Sequence, residues 1–264
     1  MKKLILIGVL SCFLPAVCFS AEDDLTEGYK PLQPTGIFSV FSTRTLDTGK
    51  VTVEPGFEVV SDPDVRRLRL NLGYGIRDNA DLGLSGSASE TDEHQGFEDV
   101  AFGLRYRFLE EVMFGPSAAL LVTLSLPLGD EDEGFGSGNL ETEGLVAVSK
   151  RVGPFTGHAN IGYNVVHVSE DMDELILAGG IEFSAARSLK LVAEFYGKTS
   201  RERDLYEVRF GYRSVLSSGL INTVGFGYGT NDRDIDYRLM ILFSYAYPQR
   251  EEQVIRVPSH EPAP

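Results

Sequence analysis

The sequence predicts an all-β chain folded as a single antiparallel, up-and-down transmembrane β-barrel of about twelve strands. Apolar and polar residues alternate in stretches of roughly ten from Val51 to Tyr247, the period that puts successive side chains on opposite faces of a strand. Across 66–76, Leu68, Leu70, Leu72, Tyr74 and Ile76 take one face while Arg67, Arg69, Asn71 and Gly73 take the other. Lipid outside and a wet lumen inside explain both faces. The connections also alternate: 77–80, 152–154, 185–188 and 216–219 are short, whereas 90–99, 129–138, 169–173 and 199–204 are longer and charged. Short periplasmic turns and longer acidic outer loops give that rhythm. Past the first residues no apolar run reaches the roughly 18 residues of a helical span.

Residues 1–20 read as a secretory signal peptide: Lys2 and Lys3, an apolar run from Leu4 to Val17, then Cys18, Phe19 and Ser20 before the acidic Glu22, Asp23 and Asp24. Val17 is too bulky to precede a lipidated Cys18. Residues 21–50 form a lead segment, periplasmic or lumen-entering. The stretch 36–46 looks strand-like, but counting it would leave the N-terminus outside the cell. The barrel occupies 51–247, with strands beginning near Val51, Val65, Asp81, Val100, Ser117, Leu140, Phe155, Leu175, Leu189, Leu205, Leu220 and Ile235. Residues 248–264 are rich in Pro and charge, lack periodicity, and read as a flexible tail.

Fixing strand direction sorts the aromatics into two belts. Tyr74, Phe108, Phe183, Tyr212, Phe243, Tyr245 and Tyr247 fall near the periplasmic end, and Phe195, Tyr206, Phe226, Tyr228 and Tyr237 near the outer end. Tryptophan, a usual belt residue, is absent.

Cys12 and Cys18 are the only cysteines and leave with the leader, so no disulfide, thiolate metal site or thiol nucleophile is expected. The net charge of −15 becomes −17 once Lys2 and Lys3 are lost, which argues against nucleic acid as a partner. The expected company is membrane lipid and lipopolysaccharide, the outer-membrane assembly machinery and a small solute.

The inward face carries Arg67, Arg69, Asn71, Asp81, Arg105, Arg107, Arg209, Arg213 and Arg238 against Glu141, Glu143, Glu182, Glu194, Glu207 and Asp236. Lys190, Lys198, His158 and Asn160 lie among them. A charge inside a barrel must meet water or a partner. Arginines facing acids across the lumen would orient a passing solute; the same groups in lateral pairs would fill a narrow lumen. Gly73, Gly83, Ser85, Ser87, Ala101, Gly103, Gly225, Gly227 and Gly229 make room on that face or mark bends.

The acidic runs 130–133 and 170–174 lack the spaced ligands of a calcium loop and read as solvated loops. His167 and Ser169 share a strand face near the outer end, the pattern of a lipid-facing hydrolase, but no Asn or Asp stands ready to orient the His. His94 and His260 have no neighbour at metal-ligand spacing, and no phosphate loop or nucleotide fingerprint occurs. No catalytic residue, metal or cofactor is therefore assigned.

Several pieces resemble a known family: 96–100 (GFEDV), 104–108 (LRYRF), 115–116 (GP), 126–130 (LPLGD), 148–154 (VSKRVGP) and 160–163 (NIGY), with Thr43-Arg44-Thr45-Leu46 and Gly49 before them. In order and spacing they resemble the outer-membrane family labelled putative meta-pathway of phenol degradation. Glu98 and Leu128 depart from it, where a small residue and Thr are common. The resemblance implies an outer-membrane transporter with a link to aromatic catabolism. The expectation is a passive channel for small solutes, hydrophobic or aromatic compounds among them; the alternative is a closed structural barrel that works through its outer loops.

Overall fold

The computed structural model describes residues 38–61, 64–130, 135–167, 173–201, 204–216, 220–230 and 237–247. The leader, the lead segment before Phe38, the tail, Ser169, Asp236 and most of the two acidic runs lie outside the described residues. The strands are β1 (Val51–Ser61), β2 (Val65–Arg77), β3 (Ala80–Glu90), β4 (Gln95–Phe97), β5 (Val100–Leu109), β6 (Ser117–Leu126) and β7 (Glu141–Val152). They continue with β8 (Phe155–Val166), β9 (Glu174–Ala186), β10 (Leu189–Thr199), β11 (Asp204–Val215), β12 (Ile221–Gly229) and β13 (Tyr237–Tyr247).

Sequential strands pair antiparallel, and β1 pairs with β13 from Val51↔Tyr247 to Ser61↔Tyr237, closing the sheet. Closure leaves none of the twelve long strands as a free edge, so the wall's backbone groups are paired laterally inside the sheet, the arrangement that suits hydrocarbon. Twelve long strands form the wall. The three-residue β4 lies outside the expected count, because it is the returning arm of the β3 loop and pairs only with 88–90. Pairing of β3 with β5 stops at Ser85↔Ala101, so β4 takes over the outer part of β3.

Strand alternation decides what faces where. On β8, Phe155, Ile161, Tyr163 and Val165 are exposed, while Thr156, His158, Asn160 and Asn164 are buried. A soluble protein reverses this; an apolar outer wall around a polar interior suits lipid. The aromatic belts lie on that outer wall, and three cross-strand pairs stack there: Phe155 with Phe183 at 4.9 Å, Phe195 with Tyr206 at 6.2 Å, and Phe226 with Tyr237 at 6.4 Å. The turn between β7 and β8 needs only Gly153 and Pro154, and Gly153 takes the left-handed conformation (φ 58°) that a side chain would disfavour.

The facing assignment has a direct test. Leu70 is exposed on the outer wall of β2, so Leu70→Arg is expected to cost about 2 to 4 kcal/mol in refolding into lipid vesicles. A negligible change would mean that Leu70 does not face hydrocarbon.

Candidate functional site

Residues 38–46 run inside the barrel, and 47–50 turn from them into the first strand. Phe38, Val40, Thr43, Thr45 and Leu46 are at most 2% exposed, although none lies in a strand. Of the two courses open to the lead segment, the described part takes the lumen.

Chain outside a sheet must satisfy its backbone otherwise, and here wall side chains do it. The Glu194 carboxylate accepts the amides of Phe38 (3.1 Å), Ser39 (3.0 Å) and Val40 (3.2 Å). Asn160 makes a two-way clamp, accepting the Phe41 amide at 2.6 Å and donating to the Phe41 carbonyl at 2.9 Å. Lower down, the Thr43 amide donates to Ser149 Oγ (3.1 Å), the Arg105 guanidinium reaches the Ser42 carbonyl (3.4 Å), and the Leu46 amide donates to Asp81 (2.8 Å). At the periplasmic turn, Thr45 and Thr48 bond to Asp78. The segment therefore runs through the lumen from its middle to its periplasmic end.

Its apolar side chains meet an apolar strip of inner wall. Phe41 packs with Ala119 and Leu121 of β6, Leu145 and Ala147 of β7, and Ile176 of β9; Phe38 packs with Val192 and Met240. Glycine makes the socket for Phe38: a Cβ on Gly225 would lie 2.3 Å from its ring, and one on Gly211 2.7 Å. Room made by Gly225 is thus room for this ring.

Above the segment, charged side chains of neighbouring strands pair in sequence along one side of the wall. Arg209 bonds Glu194 (2.8 Å) and Glu207 (2.6 Å); Arg238 bonds Glu207 (2.8 Å) and Glu58; Glu58 takes Arg67 (2.5 Å) and Arg69 (3.3 Å); and Arg67 reaches Glu98 (2.7 Å). Gly227 lets this chain cross β12, for Arg209 Cγ lies 3.1 Å from where its Cβ would be. The Arg209 guanidinium also sits 5.0 Å over the Tyr196 ring. On this side the arginines are held by lateral neighbours and not aimed at acids across the lumen. The opposite side of the outer mouth is acidic: Glu141, Glu143 and Glu174 surround Lys198, with Lys198 2.7 Å from Glu174 and Asn164 bridging Glu141 and Glu174.

At the periplasmic end, Arg105 and Asp81 form a fully buried pair at 2.7 Å. Arg107 reaches the Asp78 carbonyl (3.0 Å) and Glu110 (3.6 Å). Nearby, Glu182 takes Lys190 (3.3 Å) and Arg213 (3.4 Å), with His158 Nε2 at 3.9 Å, while His158 Nδ1 meets Ser149 Oγ at 2.8 Å. Asn71 donates to Glu54 at 3.0 Å. Glu54 and Glu58 are the inward acids that sequence reasoning missed; the alternation Thr52, Glu54, Gly56, Glu58 on β1 carries the signal for both.

The outer rim is clasped by two of the quoted sequence pieces. Asp99 accepts Gly129 N–H (3.0 Å) and Ser137 N–H (2.8 Å), and Asp130 accepts Phe97 N–H (2.8 Å). Glu98 takes Ser87 (2.5 Å) and Ser89 (2.6 Å) as well as Arg67. Burial would raise its carboxyl pKa, but Arg67 and the two hydroxyls outweigh that and hold it below the usual carboxylate value. His167 bonds Thr142 at 3.0 Å. Among the described residues no three His, Cys, Asp or Glu are grouped to hold a metal ion.

Closed wall, lipid-suited exterior and polar interior define an outer-membrane β-barrel. The chain belongs to the family described as "Putative MetA-pathway of phenol degradation", whose model matches residues 41–237. That match begins at Phe41, within the lumen segment, so the family includes part of it. A search of curated proteins gave no match. Among solved structures, an outer-membrane channel from Pseudomonas putida F1 is similar at 10% identity and a TM-score of 0.63, over 78% of this chain and 98% of that one. The KdgM porin (12%, TM-score 0.55, 74% and 99%) and the NanC porin (12%, 0.54, 74% and 98%) are similar too. At these identities the likeness shows the fold.

Proposed function

We propose that the barrel is a passive channel for small, apolar or aromatic solutes, narrowed by residues 38–46. One observation carries the reading: a strip of inner wall beside the segment is apolar, and its occupants in the structure are two phenyl rings, Phe38 and Phe41. A purely aqueous pore has no use for Leu121, Leu145, Ile176 and Val192 pointing inward. A small aromatic molecule fits the chemistry of these seats when the segment shifts. Passage is then filtered first by the charged mouth and next by width at the rings. The family's description, phenol degradation, supports an aromatic cargo. The bonds that hold the segment favour the second reading, a closed structural barrel.

Conductance of the mature chain in a planar bilayer separates the two. Small, steady steps that are blocked by phenol-sized solutes are expected. A barrel that is folded, by its heat-modifiable migration, yet electrically silent and unable to swell liposomes in aromatic solute would sink the channel reading.

A further inference from the structure

The connection from β5 to β6 lies at the periplasmic end, and its tip is the most exposed apolar stretch among the described residues: Val112 is 63% exposed, Met113 83% and Phe114 93%. It is nevertheless a built element. Val112 and Gly115 exchange backbone bonds at 3.2 Å in both directions, making a small hairpin with Met113 and Phe114 at its point. The Lys150 ammonium donates to the carbonyls of Val112 (2.7 Å), Met113 (3.0 Å) and Gly115 (3.2 Å). Glu111 joins Lys150 at 3.2 Å and accepts the Arg151 amide at 2.9 Å.

The position of Lys150 tells where this hairpin goes. On β7 the inward residues are Leu145, Ala147 and Ser149, all buried; Val146 and Val152 face out, and Lys150 shares their parity. Its amine therefore draws the hairpin against the lipid-facing side of the wall and not under the lumen. The exposed outer-wall residues at the periplasmic ends of β5, β7 and β8 are likewise apolar: Phe108, Leu109, Val152 and Phe155.

We propose that the Val112–Met113–Phe114 hairpin is inserted in the periplasmic leaflet, between phospholipid headgroups and the upper acyl chains. Three ordered apolar side chains in water would be a standing cost, whereas at this depth they continue the apolar wall sideways. The basic Lys150 and Arg151 stand at headgroup level, where long cationic side chains belong. The hairpin thus acts as a foot that fixes how deep and at what tilt the barrel sits.

The absence of tryptophan from the chain gives a clean test. Phe114→Trp supplies the single tryptophan in the full chain, excited selectively over the tyrosines and refolded into phosphatidylcholine–phosphatidylglycerol vesicles with bromine at shallow or deep acyl positions; Leu70→Trp is the reference for wall contact with lipid. Blue-shifted emission that is lost in brominated lipid, more with shallow than with deep bromine, is the expected result. Adding Lys150→Ala should reduce that loss while heat-modifiable migration is kept. Water-like emission that bromine leaves unchanged in a folded barrel overturns the proposal. Blue-shifted but unquenched emission overturns it too, and points to a second copy of the chain over the hairpin. Met113→Trp repeats the measurement should Phe114→Trp fold poorly.

Discussion

Deleting residues 38–46 is expected to raise single-channel conductance several-fold while leaving the barrel folded. The segment belongs to no strand, and its removal leaves all wall pairings intact. What it takes away is the material between the middle of the lumen and its periplasmic end. Glu194→Ala tests the same point with one residue, because its carboxylate accepts three amides of the segment; hydrogen bonds to a charged acceptor contribute about 1.5 to 3 kcal/mol each before loss of cooperation. Flickering between small and large steps is the expected signature of a loosened segment. Gly225→Val should act alike from the wall side, since its side chain would occupy the seat of Phe38. Unaltered conductance in the deletion would show that the route lies elsewhere and would remove the segment from the mechanism.

The largest stability effect is expected at Asp81. Its carboxylate holds Arg105 through Nε (3.2 Å) and Nη2 (2.7 Å) and also takes the Leu46 amide, and both charged side chains are fully buried. Asp81→Ala leaves a guanidinium inside the barrel with only the Ser42 carbonyl, a loss of about 3 to 5 kcal/mol for a buried pair broken on one side. Urea unfolding in lipid vesicles reads it. Asp81→Asn keeps an acceptor for Leu46 and should fall between. A shift below about 1 kcal/mol would mean that water reaches Arg105 freely, as at an exposed pair.

How much of this was legible beforehand follows from what each feature depends on. Strands depend on a local period: Val51, Val65, Val100, Ser117, Phe155 and Leu189 begin strands where alternation puts them. Where the first residue was missed by one, the strand begins one residue ahead of the expected start at Ala80, Glu174 and Asp204 and one residue after it at Glu141 and Ile221. The strand expected near Ile235 is described from Tyr237. Inward and outward faces are local too, and the alternation of β1 that turns Glu54 and Glu58 inward is as legible as that of the arginine-rich strands. The lumen segment depends on the opposite kind of information. Its partners are 106 to 156 residues away for Thr43 with Ser149, Asn160 with Phe41, and Glu194 with Phe38. It shows no regular pairing, so the strand-like look of 36–46 carried no information on where the segment lies. Whether Arg67 would meet an acid across the lumen or beside it was likewise hidden, because that turns on register between strands, which charge lists do not contain.

The same long separations set an order of assembly. Glu194, Asn160 and Ser149 stand on strands made long after Phe38 leaves the ribosome, and the sheet is a tube only once β1 meets β13. Contacts of such high sequence separation come late, because chain closure must precede them. The residues of the lumen segment are therefore made well before the strands that hold them, and they reach their places only once partners more than a hundred residues downstream have been made.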